Sequence, residues 1–344
     1  MSNTTTYISC PAIQENLDLL FKGNDTMMRK PTPVLKVLTS AENTSNFLQN
    51  QIDDQNGKTR QVQAIYQNRW TSTKANDSAD LNCGGGTFMD DKSTTYSIDP
   101  SVGTGVVWSI TPAQLVKRCE DNGITFARGV QQAINAALDS MEKKTITQLV
   151  SLLGNFATTG TSTAIDVATL NSQGLSVPNL IDRLKYEFAF MEHSENPLFL
   201  FYTNFSMESY FAQMAYRCCS STFGLDLNEY FANQNIMPFF SLNVDTLLGA
   251  NKFFALTPGA AQLLTFNQFR GYGNEIGDDS IKMGVIYDPD TGIPFDYYAQ
   301  FQCGTWNFQV KVAHKLVGIP TDAFATDDSL KGVTWANQFR VVNP

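Results

Sequence analysis

An α+β fold is predicted by three features: a long amphipathic helix, a strictly alternating strand in the last third, and a strand-like stretch with little apolar mass. The helix is Ile124–Leu153. Phe126, Val130, Ile134, Leu138 and Met141 recur there every three or four residues, followed by Ile146, Leu149, Val150 and Leu153. Arg128, Gln131, Asn135, Asp139, Glu142 and Lys143 take the opposite, polar face. At 1.5 Å per residue, roughly 28 residues make a rod of about 42 Å. The strand is Trp306, Phe308, Val310, Val312, His314 and Leu316, alternating with polar or small residues. The thin stretch is 51–110, where Gln61–Tyr66 and Tyr96–Ile98 have strand character between Gly57, Asn76-Asp77-Ser78 and Gly84-Gly85-Gly86.

The remaining elements fall between these landmarks. Residues 1–50 are polar, with one short helix around Ile13, Leu17, Leu19, Leu20 and Phe21 and an extended Val34–Leu38 after Lys30-Pro31-Thr32-Pro33. Neither this segment nor 51–110 holds enough apolar residues for a private core, so both are expected to be held by something outside themselves. Thr111-Pro112 is a helix start, with Thr as cap and Pro in the first turn, and Asn122-Gly123 its stop. Residues 155–177 form a polar connector with a short strand at Ala164–Val167. An α/β unit follows: a helix from Pro178 to Met191, a buried strand Leu198–Tyr202, and a helix from Ser206 that buries Met207, Tyr210, Phe211 and Met214. Ser220–Asn233 reads as an irregular loop, Met237–Phe240 and Phe253–Leu256 as buried strands, and Pro258-Gly259 as a turn. Ile281–Tyr287 and Phe295–Gln302 flank a second turn, Asp288-Pro289-Asp290-Thr291-Gly292.

Composition narrows the function classes. The 344-residue chain is long enough for two or three domains. Charged residues are only 17%, against an ordinary share of about 25%, while aromatics reach 12%. An amide-rich, weakly charged surface suits burial against other proteins. With 24 Lys and Arg against 33 Asp and Glu, and the basic residues scattered, a phosphate-gripping surface is not expected. No apolar run reaches the ~18 residues of a membrane span, and Met1–Tyr7 has neither a basic nor an apolar leader region. Cys10, Cys83, Cys119, Cys218, Cys219 and Cys303 lack zinc-ligand spacing and are expected as free, mostly buried thiols.

Chemistry is hard to place on this chain. The two histidines, His193 at a helix end and His314 on a strand face, have no nucleophile partner in sequence and are read as structural. The Asp288–Gly292 segment lacks the glycine and glutamate of a calcium loop, with Ile293 and Ala299 in their places. Gly84–Gly86 is not followed by a Lys-Ser/Thr pair and carries no phosphate-loop signature. Glu275, Asp278 and Asp279 form an acidic loop read as a solvated face.

The order of elements, more than any motif, resembles the major capsid protein of tailed bacteriophages, whose HK97-like fold is shared with encapsulins and herpesvirus capsid floors. On that resemblance residues 1–50 correspond to the N-terminal arm, 51–110 to the E-loop, and 111–177 to the peripheral domain with its spine helix. Residues 178–280 correspond to the axial domain, including Met237–Phe240 and Lys252–Phe266, and 281–344 to the return strands of the peripheral domain and the C-terminus. Ser220–Asn233 would face the fivefold and sixfold axes. The resemblance implies pentamers and hexamers closing an icosahedral shell around double-stranded DNA in a virion, assembled in the host cytoplasm. It implies no catalysis, cofactor, metal or membrane. Scaffolding, portal and decoration proteins would be the partners, with scaffolding a separate protein if the arm begins at Met1. It further implies inter-subunit contacts through Tyr66, Arg69, Trp70, Phe88, Tyr96, Phe223 and Tyr230. The alternatives are an encapsulin-like compartment and another virion component (tail, decoration or jelly-roll capsid protein). A hydrolase or transferase using a carboxylate pocket is a reading from a different class.

Overall fold

The computed structural model describes residues 9–22, 30–40, 48–53, 60–67, 91–99, 102–111, 113–114, 122–152, 165–169, 185, 198–202, 231–232, 235–248, 252–258, 261–269, 280–318 and 336–342. In chain order the described elements are α1 (Cys10–Lys22), α2 (Pro33–Thr39), β1 (Leu48–Asp53), β2 (Arg60–Gln67), β3 (Asp91–Ile98), β4 (Gly103–Ile110) and α3 (Asn122–Leu152). There follow β5 (Ile165–Thr169), β6 (Leu198–Tyr202), β7 (Ile236–Phe240), α4 (Leu242–Leu248), β8 (Lys252–Leu256) and β9 (Ala261–Phe266). The series ends with β10 (Ile281–Tyr287), β11 (Pro294–Gln302), β12 (Thr305–Gly318) and β13 (Ala336–Val342). The fold is thus a mixture of helix and sheet, as the sequence predicts.

The long helix is present and forms the axis of the core. Phe126, Val130, Ile134, Leu138, Met141, Ile146 and Leu149 are all buried, so the predicted apolar stripe is the buried one. It lies across β4 and β12, and α1, α2 and α4 pack on it in turn. Trp108 of β4 stacks on Phe308 of β12 with ring centroids 5.2 Å apart, and Phe126 of α3 closes on the same ring at 5.6 Å.

The strands form three sheets. The first is a ribbon of order β1-β2-β3. Its β2–β3 register runs from Arg60↔Ile98 to Gln67↔Asp91, and β1–β2 slips between Gln49 and Gln51. The second has the order β10-β11-β12-β4, with β9 also on β12, and the third the order β5-β13-β8-β6-β7. In the second sheet β4 runs so close to β12 that a Cβ on Gly105 would fall 2.3 Å from the Val310 carbonyl oxygen. Only glycine fits there. The β11–β12 hairpin closes through Cys303 and Gly304, both left-handed at φ 52° and 73°, the pattern of a two-residue type I′ turn. The Asp288–Gly292 turn is built as expected: Asp288 Oδ2 accepts from the Thr291 N–H at 2.8 Å and its hydroxyl at 2.7 Å.

Several expectations are corrected. Val34–Leu38 is helical, not extended. Pro33 opens the first turn, and Val34, Leu35, Val37 and Leu38 form one buried face. The arm is also not coreless: Cys10, Ile13, Leu17 and these four residues join the main hydrophobic cluster. Polar contacts fix it to its own β10–β11 hairpin. The Gln14 amide pairs with the Tyr287 N–H (2.8 Å) and carbonyl (3.2 Å), and Lys36 pairs with Asp290 at 3.1 Å. The β-excursion begins at Leu48 and ends at Ile98, because β4 pairs with β12 in the second sheet. The predicted axial stretch Lys252–Phe266 divides, β8 joining the third sheet and β9 the second. Among the predicted return strands, β13 instead enters the third sheet between β5 and β8. Phe231 and Ala232 are helical, not irregular loop, and Cys303 is exposed, not buried. The predicted helices at 178–191, apart from Lys185, and at 206–218 lie outside the described residues, as do His193 and the acidic loop at Glu275, Asp278 and Asp279.

Because the arm is docked on its own molecule, Leu35→Ala is expected to cost about 2–4 kcal/mol by cavity formation. Denaturant unfolding of the purified chain checks this; a change under about 0.5 kcal/mol would mean that α2 does not pack there in solution.

Candidate assembly surfaces and a buried polar junction

The ribbon is rooted on the back of the second sheet. Along β12, Trp306, Phe308, Val310 and Val312 face α3, so Ala313, Lys315 and Val317 point the other way. On that back face Ile98, Leu264, Ala313 and Val317 form a small cluster, with Tyr96 and Phe266 packed against it. The Tyr96 hydroxyl donates to the Gly318 carbonyl at 3.4 Å. Lys315 Nζ donates to the Ser97 carbonyl at 3.2 Å and sits 5.7 Å from the centre of the Tyr96 ring. Of the predicted contact residues, Tyr96 therefore engages its own chain. Tyr66 is placed by its backbone on β2, opposite Lys92. Arg69, Trp70, Phe88, Phe223 and Tyr230 lie outside the described residues.

The third sheet supplies an apolar edge. Among the described residues β7 is its last strand, paired in parallel with β6 alone. Pro238 has no N–H to offer a further strand, which suits an edge. Phe239 packs inward on Phe201 at 5.4 Å. Met237 and Phe240 are instead 38% and 40% exposed, and Leu242 and Leu247 on α4 are 55% and 37% exposed. The sequence reads as a buried strand at β7, and Pro238 is the signal for an edge. Four large apolar side chains within eleven consecutive residues are thus left partly in solvent, on both faces of β7 and on α4.

Beneath this edge lies a polar junction. Glu142 is fully buried, although the sequence reading put it on the solvent face. The signal for burial was its place one turn from both Leu138 and Ile146. Its Oε1 accepts from the Ser241 hydroxyl at 2.6 Å and the Asn243 amide at 3.4 Å. Ser241 joins β7 to α4; its N–H donates to the Tyr202 carbonyl, and its hydroxyl oxygen receives the Asn243 N–H. The Asn243 amide also reaches Asp139 at 3.4 Å, and Asp139 Oδ2 takes Lys143 at 2.8 Å and Lys30 at 3.3 Å. Burial is the largest influence on both carboxyls and pushes each up. At Asp139 the two ammonium partners outweigh it and hold the carboxyl below its usual range. At Glu142 burial prevails, aided by the Asp139 charge, and the carboxyl rises to about 7.

His314 lies near the far end of α3. Burial, then the Lys144 ammonium, presses its imidazole down to about 4, and Nδ1 is buried without a hydrogen-bond partner. The ring is neutral at pH 7. Among the described residues, no set of three or more His, Cys, Asp or Glu could hold a metal, and no helix is long and apolar enough to cross a membrane. A cleft of about 440 Å³ between α2, β9 and the β10–β11 turn is lined by residues such as Thr39, Gln262, Thr265 and Thr291, and its described lining holds no carboxylate, imidazole or thiol.

The depressed His314 value fixes a sign. Its contribution is fully present above the unfolded value of about 6.5 and is lost as pH falls toward 4, by on the order of 1–3 kcal/mol after allowance for partial exposure. Urea unfolding across that window should show a shallower acid loss in His314→Gln; an unchanged slope would remove His314 from the pH response.

No protein-family model matches this chain, and no curated protein matches it. Among solved structures it is similar to the capsid of the cyanophage P-SCSP1u, with TM-score 0.45 and 10% identity over 89% of this chain and 92% of that one. It is likewise similar to the mature capsid of bacteriophage PhiM1, with TM-score 0.43 and 11% identity over 89% and 91%. A phage-related protein of Bordetella bronchiseptica RB50 has TM-score 0.45 and 11% identity over 97% of both chains.

Proposed function

We propose that this chain is a shell-forming subunit, a major capsid protein of the HK97-like kind, and that its work is assembly, not catalysis. One observation carries the reading: a three-stranded ribbon, rooted by β3 on β9 and β12, extends from a body that also presents the apolar β7–α4 edge. A ribbon and an edge of this kind are completed by neighbouring copies. The element order supports the same reading, running from arm to ribbon, 31-residue helix, apolar sheet and antiparallel return.

In this proposal pentamers and hexamers close an icosahedral shell around double-stranded DNA. Tyr66, Arg69, Trp70, Phe88, Phe223 and Tyr230 serve as inter-subunit contacts beside the β7–α4 edge. Scaffolding, portal and decoration proteins are the partners, and the virion, assembled in the host cytoplasm, is the location. A net charge of −9 fits a wall past which phosphates slide without being gripped.

Negative-stain microscopy and size exclusion of the purified chain should reveal large closed particles; a monodisperse monomer at high concentration overturns the proposal. Particles filled with an enzyme instead of a genome would identify an encapsulin-like compartment. Phe240→Asp with Leu242→Asp should leave the subunit folded by circular dichroism and reduce particle yield at least about tenfold, because a charge buried at an interface core is strongly disfavoured. Full yield from that double variant would clear the edge of any part in assembly.

A further inference from the structure

Glu142 stands where three parts of the molecule meet. It is carried by α3, its donors Ser241 and Asn243 belong to the β7–α4 junction, and the Leu35 N–H of α2 approaches its carboxyl without closing a hydrogen bond to Oε2. Both α2 and α4 are seven-residue helices packed on α3. We propose that the Glu142 carboxyl is a proton-operated latch, closing α2 and α4 onto α3 when it is neutral and loosening them when it is charged.

Among the described residues, the charged groups around it leave it without a counter-ion. On α3, Asp139 and Lys143 are paired with each other, and Lys30, just ahead of α2, is spent on the same Asp139. On α2, Lys36 turns outward to Asp290. β7 carries no titratable residue, and α4 carries Asp245, a like charge and not a counter-ion, with no basic residue. Among the described residues, Glu142 has a hydroxyl and an amide on Oε1 and the nearby Leu35 N–H, and Oε2 closes no hydrogen bond. A neutral acid is tolerated in such a place, whereas a carboxylate must draw in water or a cation. α3 is held along its length by β4 and β12, so water enters most cheaply by displacing one of the two short helices, which are too short to persist alone. The elevated protonation range of Glu142 puts this event near neutrality, where small changes of pH select between the two states. The sign follows from linkage: the folded form holds its proton more tightly than the unfolded chain, so the contribution is full below about pH 4.5, is lost as pH rises toward and through 7, and levels off above that.

Hydrogen exchange of the full-length chain between pH 5.5 and 8.5, corrected for the intrinsic exchange rate, tests the latch. Protection of 33–39 and 242–248 should fall about tenfold or more across that range, while 126–138 of α3 stays protected. Glu142→Gln, neutral throughout, should remove the dependence. A flat profile in the unaltered chain, an equal slope in Glu142→Gln, or a loss spread evenly over α3 and the sheets would each overturn the proposal. Should Glu142→Gln not fold, Ser241→Ala decides instead: it deletes a donor that favours the carboxylate and must move the midpoint to higher pH, and an unmoved midpoint overturns the latch.

Discussion

Everything described in this molecule depends on burying one stripe of α3. A helix of 31 residues gains little from its own hydrogen bonds in water; it persists because seven large side chains are removed from solvent on a single face. At roughly 1.5–3 kcal/mol per buried side chain, that stripe is the largest coherent source of stability in the described core. The surface receiving it is the β4–β12 pair, whose backbones run so close at Gly103 and Gly105 that a side chain there would clash. That approach lets Trp108, Phe308 and Phe126 share one aromatic contact between sheet and helix. α1, α2 and α4 then occupy the flanks that α3 leaves open.

Local patterns were legible in the sequence, and their partners were not. The α3 stripe, the β12 alternation and the Asp288–Gly292 turn each repeat one conformational rule over several residues, and each stands where it was expected. Val34–Leu38 misled because a run of five mostly apolar residues suits a strand or a short helix equally, and Pro33 was the arbiter. Glu142 was misassigned by residue type: a carboxylate was taken as solvent-facing although its helical neighbours at one turn are Leu138 and Ile146. The exchange of strands between sheets, β9 to one and β13 to the other, depends on pairings between distant segments, about which local hydropathy is silent. Of the candidate contact residues only Tyr96 can be followed to its surroundings, and those belong to the same chain.

Docking of the arm shifts the burden of association. Since α1 and α2 complete the chain's own core, the proposed assembly would place recognition between copies on the ribbon and the β7–α4 edge. These surfaces have different physics. The ribbon offers main-chain pairing with few apolar groups, which gives direction more than affinity. The edge offers exposed Met, Phe and Leu side chains that lose water on contact, which gives affinity with less direction. A junction of hydrogen-bonded carboxylates directly under the second surface couples its shape to the position of α4.

The place of β13 has a consequence for biosynthesis. It is the latest of the described strands in chain order, yet it lies inside its sheet, parallel to β5 and antiparallel to β8. While the polypeptide is still emerging from the ribosome, the β8-β6-β7 half can form, but its seam toward β5 stays open, with the buried ladder of Phe253, Phe254 and Ala255 unfinished on one side. A nascent chain stalled before Ala336 would therefore display a sticky, half-built sheet, a natural target for chaperone capture. Completion of that sheet, and any surface that depends on it, waits until Ala336–Val342 have been synthesised.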